Sequence, residues 1–421
     1  MRVPNVTPLS SAAVVGLGYI GLPTAVSLAT GGLEVTGVDV NPDIVERVNR
    51  GEAPFAEPDL SVAVSGAVAM GRLRAQQEMP QADAYVIAVP TPFAGDHQAD
   101  LSYVTEAAEA IADVLRGGEV IVLESTAPPG TTQRVSELIA ARRPDLHLPH
   151  LADITPDVHV AHCPERVLPG RVMIEIATND RVIGGLTPAC AERAAGLYRT
   201  FCRGALILTD AASAEMAKLA ENAYRDVNIA FANELSLICQ RLGLDVWEIR
   251  QMANHHPRVE ILRPGPGVGG HCIAVDPWFI IEAAPDLARL TAVARAVNDY
   301  MPGHTADQIV ATSRRFREPR IACLGLSFKA DVGDLRESPA VDITARIAAA
   351  LPDVKILVAE PHAPKLPAQF EELENVIMTD AEHAIAEADI IALLVDHSCF
   401  HTIKKTQLVG KVVYDTRGMW S

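Results

Sequence analysis

The small apolar run Ala12–Val15 leads directly into Gly16-Leu17-Gly18-Tyr19-Ile20-Gly21. Leu22–Ala29 follows with helical character, Pro23 falling where a first turn tolerates it, and Leu33–Val40 reads as a second strand. Strand, G-x-G-x-x-G, helix, strand and acid, in that order, constrain the chain more than any other feature. The glycine spacing alone carries little; the full context is that of a βαβ unit that binds a dinucleotide. Its glycines let a pyrophosphate settle on the helix N-terminus, where unpaired N–H groups and the helix dipole favour an anion. Asp39 lies eighteen residues past Gly21, close to the roughly 20 residues that separate the last glycine from a ribose-binding acid. A carboxylate there accepts from both ribose hydroxyls and repels a 2′-phosphate. The expected cofactor is therefore NAD, not NADP.

A second stretch carries chemistry of another kind: Gly265-Pro266-Gly267-Val268-Gly269-Gly270-His271-Cys272-Ile273-Ala274-Val275-Asp276-Pro277. Glycine and proline at this density continue neither a helix nor a central strand, so a loop that approaches a ligand closely is expected. The loop ends in one cysteine with a carboxylate four residues on. Taken alone, a tight turn before a buried cysteine explains it as well, since free cysteine is among the most buried residue types. Beside a cofactor site, a nucleophilic thiol and covalent catalysis become the better reading. His271 adjoins Cys272, and adjacent side chains do not reliably face each other, so it is a poor base for the thiol.

Length and composition bound the rest. With 421 residues, 49% of them hydrophobic, the chain is a folded protein of about two to four domains. A net charge of −17 argues against a nucleic-acid or anionic-membrane surface. No uninterrupted apolar run reaches the length of a membrane span, so a cytoplasmic protein with no membrane partner is expected. Seven cysteines, widely spaced and without C-x-x-C, fit free thiols in a reducing compartment. His255, His256 and His271 have no ligand spacing with them, and no metal site is expected.

The first two hundred residues alternate strand and helix, with strand-like runs at 84–89, 120–123, 158–162 and 181–184, the pattern of a doubly wound parallel sheet. Val89-Pro90-Thr91-Pro92 and Ser125–Thr132 follow two of these runs and present hydroxyls at strand ends, where such sheets bind ligands. From Ala212 to Leu242 there is neither Gly nor Pro, which at 1.5 Å per residue predicts a helix of roughly 45 Å that links domains and supplies a subunit interface. Lys218, Asn222 and Arg225 share one face of it. Their neighbours Ala217, Leu219, Ala220 and Ala223 are small or apolar, which favours a polar cleft over a solvated face. A second alternating region begins near Arg320, with runs at 321–325, 355–359, 390–395 and 411–414. It lacks the full glycine fingerprint and reads as a smaller nucleotide fold, with Lys329 suited to a phosphate and Arg336 to a bidentate contact. The fold class is α/β: two Rossmann-like doubly wound domains joined by a long central helix.

These pieces together resemble the nucleotide-sugar 6-dehydrogenases. The resemblance covers nearly all of the chain. It rests on Gly16–Gly21, Ser125–Thr132, Cys163-Pro164-Glu165-Arg166, the helix with Glu215, Lys218 and Asn222, Gly265–Pro277, and Phe328–Pro339. It implies an NAD domain over 1–205, a central helical dimer domain with the cysteine loop over 206–312, and a UDP-sugar domain over 313–421. It also implies oxidation of a sugar C6 alcohol to a carboxylate with two NAD. Cys272 is then the nucleophile, Lys218 and Asn222 hold the C6 oxygen, and Asp276 and Glu165 share proton transfer and water activation. Arg166, Val167, Lys218, Asn222, Arg225, His256, Arg258, Gly269, Phe328 and Lys329 match substrate-site positions. Gly16, Gly18, Tyr19, Ile20, Gly21, Asp39, Thr91, Thr126, Thr132 and Arg336 match NAD-site positions. Val89–Phe93, Arg225–Glu234 and His271–Phe279 are most similar to the branch that acts on UDP-N-acetyl-D-mannosamine, a sugar of bacterial surface polysaccharides. UDP-N-acetylglucosamine and UDP-glucose are the alternatives. Outside the family, a two-electron 3-hydroxy-acid dehydrogenase shares the NAD domain and long helix, and a non-catalytic NAD-sensing scaffold shares the NAD domain. Neither has a use for both the Lys–Asn stripe and the thiol loop.

Overall fold

In a computed structural model, the residues described are 9–55, 57–93, 95–151, 155–270 and 272–420, so His271 lies outside them. The chain divides into two compact units, residues 1–220 and 221–421, and the division falls inside the long helix Ala211–Leu242.

The first unit is built on an eight-stranded sheet. Its strands are β1 (Ser11–Val15), β2 (Glu34–Val38), β3 (Leu73–Gln76), β4 (Ala84–Ile87), β5 (Val120–Leu123), β6 (His159–His162), β7 (Arg181–Gly185) and β8 (Leu206–Asp210), in the order β3-β2-β1-β4-β5-β6-β7-β8. The central strands are apolar throughout, as strands covered on both faces must be. Val14, Val86 and Val122 pack with Leu28 and Leu197 on one face; Tyr85, Ile87 and Ile121 pack with Ile111 and Ile139 on the other. Register places Val15 opposite both Val38 and Ile87, so the residues that follow these strands emerge side by side at one edge. The strand order reverses between β1 and β4 there, the point at which such sheets open a ligand crevice.

The sheet is not wholly parallel. β6 and β7 run antiparallel and pair only through Ala161 with Gly185 and His162 with Gly184. A parallel neighbour needs a crossover that returns the chain to the opposite edge. The segment between them forms only the seven-residue helix Val172–Thr178, and β7 starts from the edge at which β6 ended. β3 and β8 are not among the strands expected from the sequence; both lie at the sheet edges and are partly exposed along their length.

The second unit opens with helical segments: the remainder of Ala211–Leu242, then Val246–Asn254, Asp276–Ala283 and Arg289–Ser313. A five-stranded, fully parallel sheet follows. It comprises β9 (Arg320–Leu324), β10 (Lys355–Ala359), β11 (Val376–Met378), β12 (Ile390–Leu393) and β13 (Val412–Asp415), in the order β11-β10-β9-β12-β13. Ile321, Cys323, Ile343, Ile347 and Val358 fill one face; Leu324, Leu357, Ile385, Leu393 and Phe400 fill the other. Among the described residues, no helix is long and apolar enough to cross a membrane.

Candidate active site

The glycine loop after β1 has the geometry of a pyrophosphate seat. Gly16 has φ +90°, and a Cβ there would lie 2.6 Å from the Ala88 carbonyl oxygen. A Cβ on Gly21 would lie 1.9 Å from the Gly16 carbonyl oxygen, so the helix Gly21–Thr30 can start this close to β1 only without a side chain. Gly18 faces open space. Asp39 is half-buried at the end of β2. One of its carboxylate oxygens accepts from the Leu17 amide at 2.8 Å and the other from the Asn41 amide at 2.9 Å. The acid is thereby aimed along the loop. These residues fit a dinucleotide: a tight turn, an open amide face and a fixed carboxylate.

Neighbouring turns are stitched to this loop. The Tyr19 hydroxyl donates to Glu57, whose carboxylate also accepts from the amides of Gly170 at 3.1 Å and Val172 at 2.9 Å. Ile20 is half-buried as the N-cap of the helix. Thr91 donates to the Thr126 carbonyl at 2.8 Å, and Ser125 to that of Val89 at 2.7 Å, which ties the turns after β4 and β5 together. Thr132, expected at the cofactor, is fully buried, and both its hydroxyl (2.6 Å) and its amide (2.7 Å) donate to Glu215. Glu215 also takes the Gly130 amide at 2.6 Å. A long-helix side chain thus caps the helix Thr131–Arg142, meeting the orphan amides of its first turn. Burial raises the Glu215 carboxyl above its ordinary value, and the hydrogen bonds from Thr132 and Gly130 oppose this.

Glu165 follows β6 and is buried. One oxygen accepts from the Arg181 guanidinium at 2.9 Å, the other from the Arg166 amide at 2.6 Å. Arg166 and Val167 are half-buried beyond it. Cys163, two residues earlier, is fully buried with its thiol pushed up to about 12 by desolvation, which removes it as a nucleophile. The long helix carries Lys218, half-buried, one turn before Asn222 and two before the exposed Arg225.

In the second unit, Asn222 donates to the Asp276 carboxylate at 2.5 Å, and both side chains are buried. Asp276 opens the helix Asp276–Ala283. The Cys272 carbonyl accepts from the amides of Val275 at 3.1 Å and Asp276 at 2.8 Å, so the cysteine begins the turn that leads into that helix. Cys272 and Cys399 are exposed and Cys202 is half-buried, whereas Cys163, Cys190, Cys239 and Cys323 are buried; of the exposed pair, Cys272 is the one on the turn into Asp276.

The glycines before Cys272 serve packing against protein. A Cβ on Gly269 would lie 2.3 Å from the Glu337 carbonyl oxygen and 2.6 Å from Pro339, and one on Gly270, where φ is +84°, would lie 2.9 Å from the Phe328 ring. The loop entry is held by a buried amide chain absent from the sequence reading as a set. The Gly265 amide donates to Asn233 at 2.8 Å, Asn233 to Asn298 at 2.9 Å, and Asn298 to Asp226 at 2.7 Å, where Arg295 also donates at 2.7 Å. Asp226 and Asn233 lie in Arg225–Glu234, the one sequence signal that pointed to them. Lys329 is half-buried, His256 and Arg258 are exposed, and Arg336 is exposed with its guanidinium on Asp334 at 2.7 Å.

Residues 10–202, 212–300 and 322–421 match, in turn, the NAD binding domain, the central domain and the UDP binding domain of the UDP-glucose/GDP-mannose dehydrogenase family. The chain belongs to this family. It is an NAD-dependent nucleotide-sugar dehydrogenase, and NAD is the cofactor of its first fold. A protein of Ralstonia nicotianae named NDP-N-acetyl-D-galactosaminuronic acid dehydrogenase is 55% identical over 97% of this chain and 96% of its own length. The UDP-N-acetyl-D-mannosamine dehydrogenase of Escherichia coli is 50% identical over 97% of this chain and 98% of its own. Among solved structures, a UDP-D-ManNAc dehydrogenase from Pyrococcus horikoshii superposes with a TM-score of 0.86 at 34% identity, covering 98% of this chain and 96% of that one. The UDP binding domain over 322–421 is the part that a simple hydroxy-acid dehydrogenase would not need.

Proposed function

We propose that the enzyme oxidises C6 of UDP-N-acetyl-D-mannosamine to the uronate, a four-electron reaction that runs through a covalent intermediate on Cys272. The observation that carries this reading is the exposed Cys272 on the turn into Asp276, whose carboxylate is bonded to Asn222 of the long helix. NAD, when bound, would supply a hydride acceptor, and a fresh NAD molecule would serve each of the two oxidations. In the first, the C6 hydroxyl gives its proton to a carboxylate and an aldehyde forms. The Cys272 thiolate then adds to the aldehyde carbon. The helix start behind it favours developing negative charge, and Lys218 and Asn222 donate to the oxygen. Loss of the second hydride leaves a thioester. Water attacks its carbonyl; the C–O bond forms, the C–S bond breaks, and the thiolate leaves as the carboxylate product is released. Glu165 and Asp276 are the two carboxylates that take protons in this sequence.

Arg166, Val167, Arg225, His256, Arg258, Gly269, Phe328 and Lys329 are assigned to the nucleotide sugar. Gly16, Gly18, Tyr19, Ile20, Gly21, Asp39, Thr91, Thr126 and Arg336 are assigned to NAD, whereas the buried Thr132 is held by Glu215 instead. The domains are taken as 1–205, 206–312 and 313–421. A homodimer through the central helix is supported by Tyr224, Phe231 and Ile238, which lie seven residues apart and are exposed.

The mannosamine assignment draws on the resemblance over Arg225–Glu234 and Cys272–Phe279 and on the names of the Escherichia coli and Pyrococcus relatives. A second reading, the galactosamine isomer, which differs at C2 and C4, is favoured by the Ralstonia relative at 55% identity. A buried acetamido group needs its hydrogen bonds met, so a site built for one isomer rejects the others and rejects plain UDP-glucose. The deciding experiment is steady-state kcat/KM on the UDP derivatives of N-acetylmannosamine, N-acetylgalactosamine, N-acetylglucosamine and glucose. The mannosamine sugar is expected to lead by about tenfold or more. A lead of that size for another sugar overturns the mannosamine assignment and leaves the reaction class standing.

A further inference from the structure

Beneath the turn that carries Glu165 lies a buried ionic cluster that the reaction scheme leaves without a task. Arg181 opens β7 and is 3% exposed. One guanidinium nitrogen donates to Glu165 at 2.9 Å, and the other lies 3.5 Å from Glu124, which is also buried. Glu124 accepts from the Thr24 hydroxyl at 2.8 Å, on the helix that starts at the dinucleotide loop, and from the Tyr198 hydroxyl at 3.2 Å. The rings of Tyr198 and Phe201 cover the guanidinium at 4.8 and 5.4 Å. Two carboxylates thus share one cation out of water. Apolar side chains of similar volume would stabilise the fold at least as well, so stability is a weak reason for the cluster.

We propose that Arg181 is a positioning residue that fixes Glu165 for proton transfer, and that Glu124 ties the same guanidinium to Thr24 of the dinucleotide-binding helix. This rests on the assignment of Glu165 to proton transfer made above. A planar guanidinium spans both carboxylates at once; a lysine ammonium does not. The groups that face Glu124 are Arg181, Glu165, Cys163, Tyr198 and Thr24. Burial raises its carboxyl to about 7, with Arg181 opposing and the charge of Glu165 adding. Below that pH Glu124 is protonated and the charge of Arg181 serves Glu165 alone. Above it, two anions divide one cation.

The test uses the full-length enzyme with Glu165→Gln, Arg181→Lys and Glu124→Gln, followed by kcat, both KM values and melting temperature across neutral pH. Arg181→Lys is expected to keep both KM values within about twofold and to lose about 10–100-fold in kcat, the scale of a misplaced catalytic group. Wild-type kcat is expected to change with an ionisation near 7 that is missing in the nearly isosteric Glu124→Gln. A folded Arg181→Lys enzyme with wild-type kcat, or a Glu124→Gln pH profile that matches wild type, overturns the proposal. Should Arg181→Lys fail to fold, the Glu124→Gln profile decides alone. Full activity in Glu165→Gln removes the assignment of Glu165 and this proposal with it, whereas an impaired Glu165→Gln beside normal Arg181→Lys and Glu124→Gln removes only the positioning role.

Discussion

The protein contains the same strand–turn–strand device twice and uses it differently each time. After β1, Gly16 takes φ +90° and donates to the Val38 carbonyl at 2.8 Å; after β9, Gly325 takes φ +86° and donates to the Ala359 carbonyl at 2.8 Å. Each unit then ends its second strand in an acid that accepts the next amide of the turn: Asp39 from Leu17 at 2.8 Å and Glu360 from Leu326 at 2.7 Å. There the likeness stops. Asp39 is half-exposed. Glu360 is 5% exposed and also accepts from the amides of Ser327 and His362 and from His397, whose ring lies 3.1 Å away. The helix after the first turn begins at Gly21, five residues past Gly16; after the second it begins only at Pro339, fourteen past Gly325. The second fold has the same strand order, but the acid at the Asp39-equivalent place is sealed by a histidine and the helix start lies further from the turn. One topology therefore supports an NAD binding domain and a UDP binding domain, with different side chains around the same turn.

Variants that break this contrast are expected in the following order of effect. Gly21→Ala drives a methyl group into the Gly16 carbonyl. It should cost about 1–3 kcal/mol of stability by overpacking and raise the KM for NAD, whereas Ala330→Gly, five residues past Gly325, leaves that KM unchanged. Melting curves with and without NAD check both. Asp39→Ala should lower kcat/KM for NAD by about 10–100-fold, the worth of hydrogen bonds to a charged acceptor, and affect NADP less. Equal wild-type efficiency with the two cofactors would contradict the role of Asp39. Glu360→Gln should leave the NAD-to-NADP ratio untouched but destabilise the protein by about 1–3 kcal/mol, because His397 and three amides lose their anion. A shifted cofactor ratio in that variant would mean the sealed acid still reads a ribose.

The smallest effect concerns acid stability. His162 is fully buried with neither ring nitrogen bonded, and desolvation lowers it from 6.5 to about 3. The unfolded chain therefore binds a proton that the folded chain refuses, and stability falls as pH drops from 6.5 towards 3. Glu124, raised from 4.5 to about 7, works the other way: its contribution is complete below 4.5 and is lost as pH rises through 7. The two offset each other between 4.5 and 6.5, so the loss due to His162 emerges below 4.5, at about 1.4 kcal/mol per pH unit. Urea titrations of His162→Leu should show a flatter acid limb than wild type; equal limbs would exclude His162 as its source.

Much of this was legible in the sequence, and the failures have a common cause. The glycine fingerprint, Asp39, the central strands and the helix 211–242 are local patterns, set by periodicity and turn chemistry over a few residues. The edge strands β3, β8 and β11 are partly exposed and carry no strand-specific signal of their own, and the reversal of β7 depends on where the chain re-enters the sheet, which no local pattern encodes. The thiol loop was legible as a loop, but the reason for its glycines was not. Phe328, Glu337 and Pro339 press against it from some sixty residues further along the chain. Arg181 reads as a charge at the start of a strand, and only folding brings it onto Glu165 and Glu124. The fate of Thr132 was hidden likewise, since its partner Glu215 is 83 residues away.

The central claim is that one active-site thiol lets the enzyme carry a C6 alcohol to the acid. It is tested most directly by counting NADH formed per nucleotide sugar consumed, with the products identified by mass spectrometry, in wild type and in Cys272→Ala. The account predicts two NADH and a uronate from wild type. Folded, NAD-binding Cys272→Ala should give no uronate and at most one NADH per sugar, with the aldehyde as the only oxidised product. One NADH per sugar in wild type, or undiminished uronate from Cys272→Ala, would contradict it.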